Sequence, residues 1–148
     1  MLSLLILAAL QSTDFGVRQL GKPAPVGRQK AQAPRAAPAG LFTCSVATIT
    51  DGDTLRCTDG TRVRLAGIDA PEISPCAPGR KCVSGDGTAS RRSLAGLAHA
   101  RTLRCEAVGT SYKRIVAFCS AGELDLSCAQ VRAGQAVTRY SEKARVCR

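Results

Sequence analysis

Acidic and basic side chains that could do chemistry are concentrated in two short segments of the chain. The first is Asp51-Gly52-Asp53-Thr54, and the second runs from Arg64 to Asp69-Ala70-Pro71-Glu72. Asp and Gly are also what turns require, so the first segment alone is a weak signal. In the second segment two carboxylates directly follow an apolar stretch, where they would repel each other unless a cation neutralised them.

A hard divalent cation could be that neutralising charge, because it prefers carboxylate oxygens. A site built on Asp53 and Asp69 alone would leave room for water and a substrate phosphate, as phosphodiester hydrolysis requires. Negative charge that develops on the phosphate needs planar, permanently charged donors, and Arg64 and Arg114 are candidates. Glu72, which is not needed as a metal ligand, could take a proton from the attacking water. Taken one at a time, each of these residues is better explained as an ordinary charge.

Four motifs in a fixed order carry more weight than any single residue. They are DGDT, RLAGIDAPE, SYKRIVA and LDLSCAQVRAGQAV. In order and spacing, from Thr43 to Tyr140, they resemble the staphylococcal-nuclease-like (thermonuclease) family. The resemblance implies an OB-type barrel with flanking helices, and a Ca²⁺-dependent nuclease that cuts DNA and RNA with low sequence specificity.

The resemblance also implies a role for individual positions. Asp53 and Asp69 match the calcium carboxylates, and Ala70 matches a position whose main-chain carbonyl also binds the metal. The implied catalytic residues are a general base and two phosphate-binding arginines, namely Glu72, Arg64 and Arg114.

Substrate contacts are implied around the third motif and near the C-terminus. Tyr112 and Tyr140 match positions where related enzymes place tyrosines against the terminal phosphate and base, and aromatic faces stack on bases without sequence preference. Lys113 stands where many relatives have Gly, which makes the approach to Arg114 bulkier and more positive. The expected partner is nucleic acid, preferably single-stranded, and we expect a monomer without a stable protein partner. The alternative is a barrel that binds nucleic acid but has lost turnover.

Composition predicts one small basic domain. The formal net charge is +10, and residues 1–40 hold five basic residues and one acidic residue, which leaves residues 41–148 at +6. This charge suits nucleic acid or an anionic membrane surface without identifying a reaction. A lipid-contacting envelope protein would rest on residues 1–40 alone and would leave the Asp, Arg and Glu positions unexplained.

The N-terminal region predicts export. Residues 1–10 form an apolar, signal-like segment that is far shorter than the ~20 residues needed to span a bilayer. Residues 11–40 are an Ala/Pro-rich linker without apolar periodicity, for which we expect disorder. A secreted or periplasmic (cell-envelope) location follows, with a short membrane anchor as the alternative.

Eight cysteines and a single histidine, His99, argue for disulfides over a zinc site, because no C-x-x-C pair is present. The strands Thr102–Ala107 and Arg114–Cys119, around a turn at residues 109–111, would place Cys105 opposite Cys119. Eight cysteines allow 105 connectivities. The other pairings considered are Cys44–Cys57, Cys76–Cys82 and Cys128–Cys147.

The remaining pattern predicts an α+β fold that is mainly β, a five-stranded OB-fold barrel in residues 41–148. Further strands are expected at Phe42–Thr50, Thr54–Cys57 and Thr61–Gly67. In the last of these, alternation turns Val63 and Leu65 to the core and Arg62 and Arg64 to a basic outer face. One helix is expected around Leu94, Leu97 and Ala98, and a second from a Ser127/Gln130 capping box to Gly134. With only residues 141–148 left, a third helix would be shortened or absent.

Overall fold

A computed structural model describes residues 40–148, so the signal-like segment 1–10 and the linker up to residue 39 lie outside the described residues. Two helices and one 3-10 helix accompany eight strands. The strands are β1 Gly40–Asp51, β2 Thr54–Cys57, β3 Arg62–Leu65, β4 Ile68–Asp69, β5 Thr102–Ser111, β6 Arg114–Ala121, β7 Leu124–Asp125 and β8 Val137–Thr138. The helices are α1 Gly87–Ala98, α2 Leu126–Arg132 and the C-terminal 3-10 helix Ser141–Arg145.

Five strands close into a barrel, as the sequence predicts. The long strand β1 pairs with β5 through its first half and with β2 through its second half. Strand β2 pairs with β3, and β5 pairs with β6. A parallel pairing of β3 with β6 completes the ring, which leaves no open edge between these strands.

The core follows the alternation of the strands. Val63 and Leu65 are buried in it together with Leu55, Leu103 and Ile115. The basic outer face predicted for β3 is only half correct. Arg62 is exposed, but Arg64 is only 7% exposed because other elements cover it.

The hairpin between β5 and β6 turns later than predicted. Its two-residue turn is Tyr112-Lys113, and the predicted turn at Gly109-Thr110-Ser111 is wrong, since these residues belong to β5. Tyr112 and Lys113 have φ values of 48° and 61°, as a tight hairpin turn with left-handed central residues requires. A register shift between Ala107 and Gly109 absorbs the extra length.

Helix α1 is confirmed, with Leu94 and Ala98 buried, and it begins after the N-cap Asp86. The capping box predicted for α2 is wrong, because the N-cap is Asp125, whose carboxylate accepts from the Cys128 amide at 2.7 Å. Ser127 instead donates to the Ala66 carbonyl. The predicted helix end is confirmed, since Gly134 follows the C-cap with φ of 67°.

Four disulfides join the eight cysteines in consecutive pairs. Cys105 and Cys119 are direct partners across the β5–β6 hairpin, as predicted. The other bonds are Cys44–Cys57, Cys76–Cys82 and Cys128–Cys147. Four disulfides favour an oxidising location for the protein. Within residues 40–148, no helix is long and apolar enough to cross a membrane.

The C-terminus is tied down without a third α-helix. The 3-10 helix is five residues long, and Cys147 directly follows Val146, which is buried against Gly67. The Cys128–Cys147 disulfide then links this end to α2. The prediction that a third helix would be shortened or absent is therefore confirmed within residues 40–148.

Candidate functional site

A cleft of about 710 Å³ opens on one side of the barrel. Strand β3, the β5–β6 hairpin and the segment before the 3-10 helix form its walls. Its charged and aromatic lining comprises Arg64, Arg80, Arg114, Tyr112, Tyr140 and Glu142. The cleft therefore brings together both predicted phosphate-binding arginines and both predicted substrate tyrosines.

Arg64 joins the two predicted calcium carboxylates. Its guanidinium binds Asp53 through both terminal nitrogens, each at 3.0 Å from a carboxylate oxygen. Its Nη2 also donates to Asp69 Oδ1 at 2.7 Å. One nitrogen thus lies between two buried carboxylates.

Close backbone packing holds Asp53 in place. The tight turn after β1 brings Gly52 against Ser90 and Ala70, where an added Cβ would lie 1.8 Å from Ser90 Oγ and 2.8 Å from Ala70 Cβ. The Gly52 carbonyl accepts from Gln130 of α2 at 2.7 Å. Asp53 itself accepts from Thr54 Oγ1 and from the Ala70 amide. The D-G-D-T signal is therefore a packing requirement as well as a turn.

Burial sets the electrostatics of this group. It raises the pKa of Asp53 to about 7, although the Arg64 guanidinium opposes the rise. Burial by itself would lower the pKa of Arg64, but the Asp53 and Asp69 carboxylates outweigh it and the pKa is raised. Arg64 therefore stays charged. A further cation beside Asp53 would lower the pKa of that carboxyl.

Asp69 is reached by a second arginine through the pairing of β4 with β8. Asp69 lies opposite Val137 in this pair, which brings Arg139 and Tyr140 over the site. Arg139 Nη1 donates to Asp69 Oδ2 at 2.6 Å, and the Tyr140 hydroxyl donates to Asp69 Oδ1 at 3.2 Å. The Tyr140 ring also lies 5.3 Å from the Arg64 guanidinium. These contacts bury Arg64, which the sequence predicts as exposed.

Glu72, the predicted base, is half-buried and paired. Arg80 Nη2 lies 2.6 Å from Glu72 Oε1 and 4.0 Å from Asp69 Oδ1. Arg80 belongs to the loop that the Cys76–Cys82 disulfide closes. This cross-link restricts the loop and keeps an arginine between Glu72 and the cleft.

The β5–β6 hairpin supplies the opposite wall. Arg114 Nη1 donates to Thr54 Oγ1 at 3.2 Å, next to Asp53. Burial, and then the nearby Arg64, lowers the pKa of Arg114. Tyr112 at the hairpin tip is 88% exposed, and Lys113 is exposed beside it. The left-handed backbone of Lys113 explains why glycine suits this position, because glycine adopts such φ values at little cost.

The carboxylates of Asp53 and Asp69 are of the type that a hard divalent cation prefers, and the Arg64 guanidinium fills the space between them. Among residues 40–148, no three or more His, Cys, Asp or Glu side chains are grouped to hold a metal. The oxygens of Asp53 and Asp69 converge on one positive atom, the Arg64 Nη2, at 3.0 Å and 2.7 Å.

Sequence reasoning missed Arg80 and Arg139. Arg80 lies in a Gly/Pro-rich loop without periodicity, and its only sequence signal is its place between two close cysteines. Arg139 directly precedes the predicted site residue Tyr140, and that adjacency is the signal that could have found it.

A second groove, of about 520 Å³, shares no lining residue with the cleft. Phe42, Phe118 and the Cys105–Cys119 bond form its apolar part, and Arg145 crosses it to Glu106. Its acidic and basic lining residues are balanced: Arg104 and Arg145 face Glu106 and Asp125. It lacks the positive excess of the cleft.

Comparison with protein-family models gives no match for this chain, and comparison with curated proteins gives no match either.

Proposed function

We propose that this protein is a Ca²⁺-dependent nuclease that hydrolyses phosphodiester bonds of DNA and RNA with low sequence specificity, on a barrel of the OB type. The observation that carries the proposal is the convergence of Asp53 and Asp69 on one positive nitrogen at the edge of an arginine-lined cleft. Two buried carboxylates that share one cation are costly to desolvate, and their presence despite this cost supports a role in function.

Each side chain has a role in this proposal that its position supports. Arg64 binds Asp53, and Arg114 donates to Thr54 Oγ1, which in turn donates to Asp53. Both arginines line the cleft, so a phosphate bound there would meet two guanidinium donors. Glu72 takes the proton from the attacking water once its ion pair with Arg80 opens. Tyr112 and Tyr140 offer faces on which bases stack.

Calcium, held by Asp53, Asp69 and the Ala70 carbonyl, would supply positive charge to the phosphate and to the water that attacks it. The chain's own residues do the rest. The arginines neutralise the negative charge that develops on the phosphate, and Glu72 accepts the proton of the attacking water. The four disulfides fit a nuclease that is secreted or held in the periplasm or cell envelope.

The second candidate is a nucleic-acid-binding barrel without turnover, and the ion pairs favour it. In the described structure Arg64 and Arg80 occupy the carboxylates that a nuclease needs free. If these pairs did not open on substrate binding, the cleft would bind phosphates and leave them intact.

Digestion of heat-denatured DNA separates the two candidates. The purified protein is assayed with Ca²⁺ and with EDTA, beside Glu72→Gln, Arg114→Ala and the control Arg91→Ala on the exposed face of α1. We expect Ca²⁺-dependent release of acid-soluble nucleotides, at least about 100-fold slower in the two site variants and unchanged in the control. Equal product from all four proteins, or product that is insensitive to EDTA, would refute the proposed reaction. Retained DNA binding without product would support the second candidate.

A further inference from the structure

We propose that Arg56, Arg62 and Arg114 form a phosphate-binding track on the outer face of the barrel, along which a single-stranded nucleic acid continues beyond the cleft. The proposal rests on the proposed nucleic-acid substrate, but not on its cleavage. It names a substrate class, a polynucleotide rather than a short nucleotide, and two residues outside the cleft that select for it.

Strand register places the three arginines abreast. Arg56 of β2 is the direct partner of Arg62 of β3 in an antiparallel pair, so the two side chains share one face. At the next residue of β3, Val63 pairs in parallel with Ile115 of β6. The residues that precede this pair, Arg62 and Arg114, therefore lie beside each other. Val63 and Ile115 are buried in the core. Because side chains alternate along a strand, the three arginines face outwards.

Two charges in this row, those of Arg56 and Arg62, lack a salt-bridge partner within the described domain. Arg56 and Arg62 are exposed, and neither forms a salt bridge with another residue of the range 40–148. Like charges directly opposite on adjacent strands destabilise a sheet. A polyanion that lies across the strands would offset this repulsion, and released counterions would favour its binding.

Arg114 connects the track to the cleft. It lines the cleft, and its Nη1 reaches Thr54 Oγ1 next to Asp53. From Arg114 the row crosses β3 to β2, which spans two inter-strand spacings or about 10 Å. A strand bound in the cleft therefore meets Arg62 and then Arg56 as it leaves. Shorter ligands that end inside the cleft would not reach either residue.

Binding in EDTA tests the track separately from catalysis. Fluorescence anisotropy compares the wild type, Arg56→Gln/Arg62→Gln, and the control Arg91→Gln/Arg92→Gln, which removes the same charge from the exposed face of α1. The ligands are an oligothymidylate of about 12 nucleotides and a thymidine dinucleotide. For the track variant we expect Kd of the long ligand to rise about tenfold and the slope of log K against log salt to fall by about 1.4, since each single-strand phosphate contact contributes about 0.7. Binding of the dinucleotide stays unchanged.

Absence of the expected loss would overturn the track, and so would three other results. The first is an equal loss in both double variants, which would show a general charge effect. The second is an equal loss for long and short ligands. The third is a loss confined to vesicles that contain anionic phospholipid, with oligothymidylate binding intact, which would assign the row to a membrane surface. A protein that shows the expected loss but never cleaves DNA keeps the track and loses the proposed nuclease function. A protein that cleaves DNA without the expected loss keeps the proposed nuclease function and loses the track.

Discussion

Two arginines of this domain each pair with a carboxylate and lie near an aromatic ring, but in very different surroundings. Arg64 binds Asp53 through both terminal nitrogens and lies near the Tyr140 ring. Arg145 binds Glu106 through both terminal nitrogens and lies 4.4 Å from the centre of the Phe118 ring. The Arg64 and Asp53 side chains are almost fully buried, whereas the Arg145 and Glu106 side chains are about half exposed.

The difference shows what burial does to one kind of interaction. At the exposed pair, water already solvates both charges, so their contact changes stability little. At the buried pair both charges have lost water, and the same contact becomes expensive to break. We infer that Arg145 fastens the C-terminal segment, while Arg64 holds a charge arrangement that the domain retains for function. The predictions that follow test this contrast, from the largest expected effect to the smallest.

Truncation of Arg64 should have the largest effect. Arg64→Ala leaves Asp53 and Asp69 buried without their shared partner, so we expect a loss of about 3–5 kcal/mol of stability. Nuclease activity should fall by about 100- to 1000-fold. Arg64→Lys restores charge without the planar fork, and should recover most of the stability but little of the activity. Thermal unfolding measures the stability of each variant, and DNA digestion measures its activity. A fully active Arg64→Lys would show that the positive charge alone is sufficient at this position, without the planar fork.

Removal of the C-terminal disulfide should come next. Cys128→Ser/Cys147→Ser opens a link across 19 residues and should cost about 3 kcal/mol. Both arginine sets use the C-terminal segment, because it supplies Tyr140 to one and Arg145 to the other. Urea unfolding measures the loss. The matched control is Cys76→Ser/Cys82→Ser, whose loop of 6 residues predicts a smaller loss of about 2 kcal/mol; a larger loss in this control would contradict the ranking.

A matched pair of ring substitutions separates the two sets by function. Tyr140→Leu removes a stacking face and the hydroxyl that contacts Asp69, and should weaken single-strand binding about tenfold. Phe118→Leu should leave binding unchanged and cost about 1 kcal/mol of stability, because Phe118 packs in the core. Oligonucleotide titration and thermal unfolding are measured on both variants. Equal effects on binding would show that the second groove also takes nucleic acid.

The smallest effect concerns pH. The hydrogen bond from Arg145 lowers the pKa of Glu106 below its ordinary value of 4.5. A lowered pKa in the folded state stabilises the fold above the ordinary value, and this contribution disappears as pH falls through the lower folded-state value. Unfolding curves between about pH 5 and pH 2 should therefore converge for the wild type and Glu106→Gln at the acid end. A difference that grows on acidification would have the wrong sign.

Local chemistry made much of the fold predictable. The turn signal at Asp51-Gly52 and the alternation in β3 predicted the first three barrel strands. The predicted β5–β6 hairpin placed Cys105 opposite Cys119. The burial of Arg64 was not predictable, because alternation gives the face of a strand but not what covers it. Here the cover is Tyr140, brought in 76 residues later by the short β4–β8 pair.

The remaining errors have the same origin. Ser127 and Asp125 are both good helix caps by residue type, and the contact of Ser127 with Ala66 decides between them. At the site, spacing pointed to Asp53, Asp69 and Glu72, which do lie near one another through shared arginines. It could not indicate Arg80, because an ion pair from an irregular loop depends on where a disulfide closes that loop.

The disulfide map has a consequence for how the chain acquires its structure. The cysteines are bonded in four consecutive pairs along the sequence. The four links span 13, 6, 14 and 19 residues without crossing. Joining the cysteines in the order in which they occur along the chain would therefore produce the native pairing directly, out of 105 alternatives. A chain with this connectivity can form its native disulfides with little need for an isomerase to correct wrong pairings.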